Sequence, residues 1–140
     1  MSKLYTLIFA LSIFCIPFTA QSNDVSLDVW LGIVVEDIDT EMANTMGLES
    51  ENGVFVAFTV PFGSADKQGL LIGDIIRNID GKTIHGISDL KTVLCKKKPQ
   101  ETSQIEILRE GSIKSVKILW AKTNTSAKEG FKPTSGQAVF

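Results

Sequence analysis

The residues from Gly69 to Ile84, Gly-Leu-Leu-Ile-Gly-Asp-Ile-Ile-Arg-Asn-Ile-Asp-Gly-Lys-Thr-Ile, constrain the fold more than any other stretch of the chain. They spell out a helix stop, a turn, a strand, a tight turn and the start of a second strand. Gly69 can take the positive φ that closes a short helix. Gly73-Asp74 re-aims the backbone ahead of Ile75-Ile76-Arg77-Asn78-Ile79, a run rich in β-branched residues. Asp80-Gly81 is a hairpin-type turn signal, because both residues tolerate φ > 0.

The elements on either side have equally local causes. Trp30-Leu31-Gly32-Ile33-Val34-Val35 is an apolar, β-branched run that reads as a strand entered through a glycine-containing loop. Thr40 is placed to cap a short helix, Glu41 to Met46, that Gly47 ends. Asp37, Asp39 and Glu41 alternate as in a calcium loop. Met42 stands where that loop needs glycine, so the carboxylates read as helix-entry charges. Val54, Val56, Phe58 and Val60 share one face of a half-buried strand that Pro61-Phe62-Gly63 ends. Ser64 is placed to cap a single helical turn, Ala65 to Gln68.

After the opening stretch, Ser88 or Asp89 caps a helix in which Leu90, Val93, Leu94 and Lys97 recur at helical spacing, and Pro99 stops it. Lys96-Lys97-Lys98 read as a solvated helix end, where cations suit the dipole. Gln104 to Arg109 and Ser115 to Trp120 are alternating strands joined by Glu110-Gly111-Ser112. From Thr123 onward Thr, Ser, Lys, Gly and Pro prevail, which reads as a flexible tail.

The N-terminus carries an address rather than a fold. Lys3, an uncharged apolar run from Leu4 to Ile16, Pro17 and then small residues describe a secretory signal peptide, with cleavage after Ala20 or Ser22. The apolar run is shorter than the ~20 residues of a membrane span, although an uncleaved anchor is the alternative. Loss of this segment removes Cys15 and leaves Cys95 as the single thiol. An intrachain disulfide is then impossible, and the core alone must hold the domain. Cys95 is expected to be buried on its helix. At 44% apolar and 21% charged, 140 residues allow one modest core. A net charge of −2 offers no basic face for nucleic acid. One His and one Cys cannot supply the three or four ligands of a zinc site.

Seven of these segments, in order, resemble the PDZ domains of bacterial HtrA-type periplasmic serine proteases. They are Trp30-Leu31-Gly32-Ile33, Gly53-Val54-Phe55-Val56, Gly63-Ser64-Ala65 to Gly69-Leu70, Gly73-Asp74-Ile75-Ile76, Asp80-Gly81, Ser88-Asp89-Leu90 and Leu108-Arg109-Glu110-Gly111. The resemblance runs from Trp30 to about Lys122. It implies an α+β fold, a PDZ-like partly open β-barrel or sandwich of five to six strands with two short helices in the permuted HtrA-type strand order. The organisation is then a signal peptide (1–22), a lead (23–29), the PDZ domain (30–122) and a flexible C-terminal tail (123–140). Ser64 stands where the family usually has Pro. Gln68 stands where it usually has Ala, so looser packing is expected there. No Gly-x-Ser-x-Gly or Gly-Asn-Ser-Gly-Gly nucleophile segment appears. His85, the sole histidine, reads as a surface or structural residue, and no enzymatic activity is expected.

PDZ domains take peptides by β-strand addition. By resemblance, the carboxylate-holding loop is Trp30-Leu31-Gly32-Ile33, with Gly32 there because a side chain would obstruct the carboxylate. The receiving edge runs from Gly32 to Val35, and the facing wall is the helix that carries Leu90, Lys91 and Leu94. The implied peptide-binding set is Trp30, Leu31, Gly32, Ile33, Val34, Val35, Leu90, Lys91 and Leu94. A pocket of Leu31, Ile33 and Leu94 suits Val, Leu, Ile or Phe at the ligand terminus. Ile33, Val35, Leu90 and Leu94 also fit an ordinary core.

The resemblance therefore implies an exported, non-catalytic domain that binds C-terminal or extended segments of envelope proteins, without cofactor, metal or nucleic acid. Two other readings stand beside it: a regulatory partner or remnant of a periplasmic HtrA-type protease, and a membrane-tethered assembly domain of a secretion complex. The chain's own last residues, Ala138-Val139-Phe140, resemble such a ligand. A spacer from Thr123 to Gly136 has an r.m.s. span of roughly 20 Å, enough to reach its own groove or a neighbour's. A frayed tail is the alternative.

Overall fold

Alternation along residues 102–119 sets one side of the sheet. The structure, a computed structural model, describes residues 27–123 and 134–140; the expected signal segment lies outside them. In β6 (Thr102–Arg109), Ser103, Ile105 and Ile107 point inward and their neighbours outward. Strand β7 (Ser112–Leu119) pairs with β6 in antiparallel register, from Arg109 opposite Ser112 to Thr102 opposite Leu119. The turn between them, Glu110-Gly111, has φ of 51° and 74°. Asp80-Gly81 turns in the same way, with φ of 50° and 83°, and joins β4 (Ile75–Ile79) to β5 (Lys82–Thr83). Two positive φ values in a two-residue loop match the right-handed twist of the flanking strands.

With β2 (Ile33–Asp37) and β3 (Val54–Thr59), the main sheet runs β7-β6-β4-β3-β2. All its pairs are antiparallel. A separate two-stranded sheet joins β1 (Val29–Trp30) to β8 (Ala121–Lys122), which brings the two ends of the domain together. Three helices accompany the sheets: α1 (Thr40–Met46), α2 (Ser64–Lys67) and α3 (Ile87–Leu94). The α+β architecture is the expected one, and the turn after Gly63 is regular enough to count as the third helix.

The helix caps differ from expectation. Asp39 caps α1, accepting from the Met42 N–H at 2.7 Å, while the Thr40 hydroxyl donates to Glu51 at 2.5 Å. Gly63 occupies the cap position of α2, and the Ser64 hydroxyl instead donates to the Leu119 carbonyl at 2.9 Å. Gln68, where looser packing was expected, is a bridge. Its amide donates to the Ser64 and Leu119 carbonyls at 2.8 and 3.0 Å and accepts from the Leu119 N–H. Asp37 also changes role. It accepts from the Ile87 N–H at 2.6 Å and so caps α3, fifty residues away, instead of α1. Neither Ser88 nor Asp89 performs that task. Asp89 accepts from the His85 N–H and lies 3.0 Å from its ring.

One main core lies between the sheet and α3. Val35, Val56, Leu70, Ile76, Leu90 and Trp120 are among its fully buried members. A smaller cluster of Ile38, Ala43 and Ile75 sits beneath α1. Cys95 is exposed, against the expectation of burial. It falls one residue past Leu94, off the face that Leu90, Val93 and Leu94 bury.

Lys97, expected to be solvated, belongs to a polar network instead. Its ammonium donates to Asp80 at 2.6 Å and to Glu101 at 3.2 Å. Burial alone would raise the Asp80 carboxyl, but hydrogen bonds from Lys97, Ser103 and the Gln104 N–H outweigh it and hold the group below its ordinary 3.8. Glu101 is held below 4.5, first by the Lys98 N–H and then by Lys97. Depressed carboxyl values stabilise the folded state above the unfolded values, and that contribution disappears as pH falls through the folded ones. The urea midpoint is therefore expected to fall as pH drops below about 4. Asp80→Asn should flatten that fall, and an identical pH profile for the variant would contradict the assignment. Both carboxylates are partly exposed, so the effect is modest.

Candidate functional site

The sheet has a sixth neighbour in its order. Strand β9 (Gln137–Val139) lies antiparallel along the outer edge of β2, with Val34 opposite Val139, Val35 opposite Ala138 and Glu36 opposite Gln137. The tail was expected to be flexible from Thr123. Residues 124–133 lie outside the described ones, but Gln137 to Phe140 are docked. A turn directs them: the Gln137 N–H donates to the Thr134 carbonyl at 3.1 Å, and Gly136 supplies the φ of 87° that such a turn needs.

The end of β9 meets the start of β2 in a convergent arrangement. The main-chain oxygen of Phe140 accepts from the Gly32 N–H at 2.7 Å and the Ile33 N–H at 3.0 Å. The Phe140 N–H donates back to the Ile33 carbonyl at 3.0 Å. Two adjacent N–H groups directed at one oxygen form a small anion nest, and bonds of this kind to a charged oxygen are about twice as strong as those to a neutral one.

The nest depends on the backbone of Gly32, whose φ is +75°. A Cβ there would lie 3.3 Å from Trp30 Nε1 and 3.4 Å from Val60 Cβ. The chain conformation therefore favours glycine, and Trp30 and Val60 leave a side chain little room behind the loop. The loop is braced from both sides. The Ala65 N–H donates to the Leu31 carbonyl at 2.9 Å, and the Val60 N–H donates to the Gly32 carbonyl at 2.8 Å. Thus α2 and the end of β3 hold the loop in shape.

Side-chain alternation divides the residues of β9 between two faces. Phe140 is 4% exposed and belongs to the main core cluster that contains Leu31, Ile33, Leu90 and Leu94. Ala138, on the same face two residues earlier, packs against that cluster while remaining partly exposed. Gln137 takes the opposite face, where its amide donates to the Glu36 carboxylate.

The other wall, α3, packs across β2 and is tied to the end of that strand by the Asp37 cap. Asp37 therefore couples β2, the strand that pairs with β9, to α3. The sequence pattern does not reveal this, because a single aspartate followed by a second helix-entry aspartate looks like a local cap. Glu36 escapes notice for a similar reason. Its partner lies at the other end of the chain.

The structure brings together Leu31, Gly32, Ile33, Val34 and Val35 with Leu90 and Leu94. Lys91 stands exposed on α3. Trp30 lies apart from the nest's donors. It is 6% exposed, pairs with Ala121 in the small sheet, and borders a separate open hollow with Pro61, Phe62 and Trp120. Its role at the site is to stand behind Gly32. His85 is exposed and paired with Asp89. Among the described residues, no group of His, Cys, Asp or Glu could hold a metal ion.

The comparisons agree with this geometry. The family model described as PDZ domain matches residues 29–119. A probable periplasmic serine endoprotease DegP-like protein of Pseudomonas fulva is 37% identical over 109 residues, covering 78% of this chain and 22% of that protein. The corresponding protein of Ectopseudomonas mendocina is 36% identical over 89 residues, covering 64% of this chain and 19% of its own length. The chain thus spans about a fifth of the length of these relatives.

Among solved structures, the HtrA-type protease AlgW with a decapeptide superposes with a TM-score of 0.63 at 27% identity, over 69% of this chain and 30% of that one. The HtrA3 PDZ domain bound to a phage-derived ligand has the same fold, with a TM-score of 0.57 at 21% identity over 66% of this chain and 84% of that one. The nest at Gly32, the edge strand, the facing helix and the matched family model lead to one conclusion: this chain belongs to the PDZ domain family.

Proposed function

We propose that this chain is an exported, non-catalytic peptide-recognition module that captures C-terminal segments of envelope proteins by β-strand addition. The observation that carries the reading is the pair of N–H groups, Gly32 and Ile33, that converge on one main-chain oxygen at the head of an edge strand. That arrangement suits a carboxylate with an apolar last side chain, because the anion and the side chain are satisfied at adjacent positions. Export is supported by Lys3 and the apolar run that follows it, and by the periplasmic names of the relatives. The non-catalytic role is supported by the lack of a nucleophile segment in the sequence.

The test is binding of a labelled Ser-Gly-Gln-Ala-Val-Phe peptide to the full chain, followed by fluorescence anisotropy up to millimolar protein. The free-acid peptide should bind, and its C-terminally amidated form should bind on the order of tenfold more weakly, because the nest then meets a neutral group. Gly32→Ala should weaken the free-acid peptide to a similar degree, since the substituted residue resists φ near +75°. Equal binding of the acid and amide forms would overturn carboxylate recognition.

A further inference from the structure

The groove is already filled, and the filling is specific in every respect a ligand would be. Strand β9 pairs with β2 over three residues, Phe140 places its main-chain oxygen on both nest donors, and the residue is 4% exposed. Gln137 adds a side-chain hydrogen bond to Glu36. Without β9, strand β2 would present an open edge.

We propose that the C-terminal segment Gln137 to Phe140 is a built-in competitor that occupies the peptide groove of its own domain, so that partners bind only by displacing it. This rests on the peptide-binding reading above and adds a regulation to it. The partners that succeed are C-termini that reproduce the tail's features and improve on them: a large apolar last residue for the Phe140 pocket, a small residue two positions earlier where Ala138 packs, and a hydrogen-bond donor three positions earlier for Glu36.

The physical basis of the competition is tethering. A segment joined to its own binding site by a short linker acts at an effective concentration of roughly millimolar. A tail with an intrinsic Kd near 0.1 mM, roughly the strength of a short peptide, would then leave the groove open about one-tenth of the time. The apparent affinity of an external peptide falls by the same factor. Chain connectivity makes the occupant the molecule's own tail at ordinary concentrations, because a neighbour's tail competes only when the protein itself approaches millimolar.

The experiment compares the full chain with a chain that ends at Ala138 and with Phe140→Glu, each checked for folding by its circular dichroism melt. The probe is the labelled Ser-Gly-Gln-Ala-Val-Phe peptide. Both tail variants should bind it on the order of tenfold more tightly than the full chain. Equal affinity in all three would overturn the competitor while leaving the peptide-binding reading intact. Absence of binding by the folded variants would overturn that reading itself.

If neither variant folds, hydrogen exchange on the unaltered chain decides. The Phe140 N–H, which donates to Ile33, should be protected and should lose protection when the unlabelled peptide is added in excess. Exchange at the rate of a free peptide would overturn the proposal. An apparent mass that rises with protein concentration and falls on tail deletion would overturn occupancy by the chain's own tail in favour of exchange between copies.

Discussion

Arg109→Met is expected to destabilise the domain by about 3–5 kcal/mol, the range for removing one partner of a buried ion pair. The Arg109 guanidinium donates through Nε and Nη2 to the two oxygens of Asp74, at 2.6 and 2.7 Å, and through Nη2 to the Gly69 carbonyl at 2.8 Å. Asp74 is 1% exposed and also accepts from the Leu71 N–H at 2.8 Å. The pair therefore pins the turn at the start of β4 to the end of β6, and its asymmetry sets the expected ranking. Removal of Arg109 leaves a carboxylate almost wholly out of water. Removal of Asp74 leaves a guanidinium whose side chain is 22% exposed and can recover some hydration. Asp74→Ala should therefore cost less, about 2–3 kcal/mol. Urea unfolding of both variants measures this, and a cost for Arg109→Met below about 1 kcal/mol would sink the argument. The double variant should cost less than the sum, because the two groups touch.

Trp120→Ala carries a similar penalty, about 3–5 kcal/mol, from lost burial and the cavity left behind. Trp120 is completely buried, and its indole N–H donates to the Ser103 hydroxyl at 2.7 Å. Ser103 is itself 2% exposed, and its hydroxyl helps to hold the Asp80 carboxyl below its ordinary value. The core indole is thus linked through Ser103 to the polar group of Asp80 and Lys97, just past the end of α3. Trp120→Phe separates the two contributions. It retains most of the apolar volume and removes only the donor, so it should cost about 1–2 kcal/mol. Thermal unfolding followed by the fluorescence of Trp30, the other tryptophan, gives the comparison in the variants. If Phe cost as much as Ala, the lost hydrogen bond and not the lost volume would account for most of the destabilisation.

Much of the scaffold is readable from the sequence because its causes are local. Asp80-Gly81 and Glu110-Gly111 turn where the sequence pattern places them, since their φ values depend on residue type and on immediate neighbours. Gly47 closes α1 in the left-handed conformation for the same reason. The resemblance also locates the loop at Gly32, where the chain conformation favours glycine.

The residues whose roles differ from expectation are those with partners far along the chain. Asp37 looks like a neighbour's cap and serves α3. Gln68 looks like a packing defect and joins α2 to the end of β7. Lys97 looks solvated and closes on Asp80, although its spacing with Leu90 and Leu94 places it on the inward face. In each case a flexible polar side chain takes its role from whichever element arrives beside it, and residue type alone does not encode that arrival.

The opening stretch and the tail divide the protein between sequence and tertiary structure. By itself the sequence determined the turns, the strand alternation, the family to which the order of motifs belongs, and an apolar end of the right character for a ligand. Periodicity and backbone preference act over a few residues, so they survive being read in isolation. Only the tertiary structure decided that Asp74 is neutralised by Arg109, that Asp37 joins the two walls of the groove, and that Phe140 lies on the amides of Gly32 and Ile33. These depend on which surfaces meet after folding, a property of the whole chain rather than of any segment.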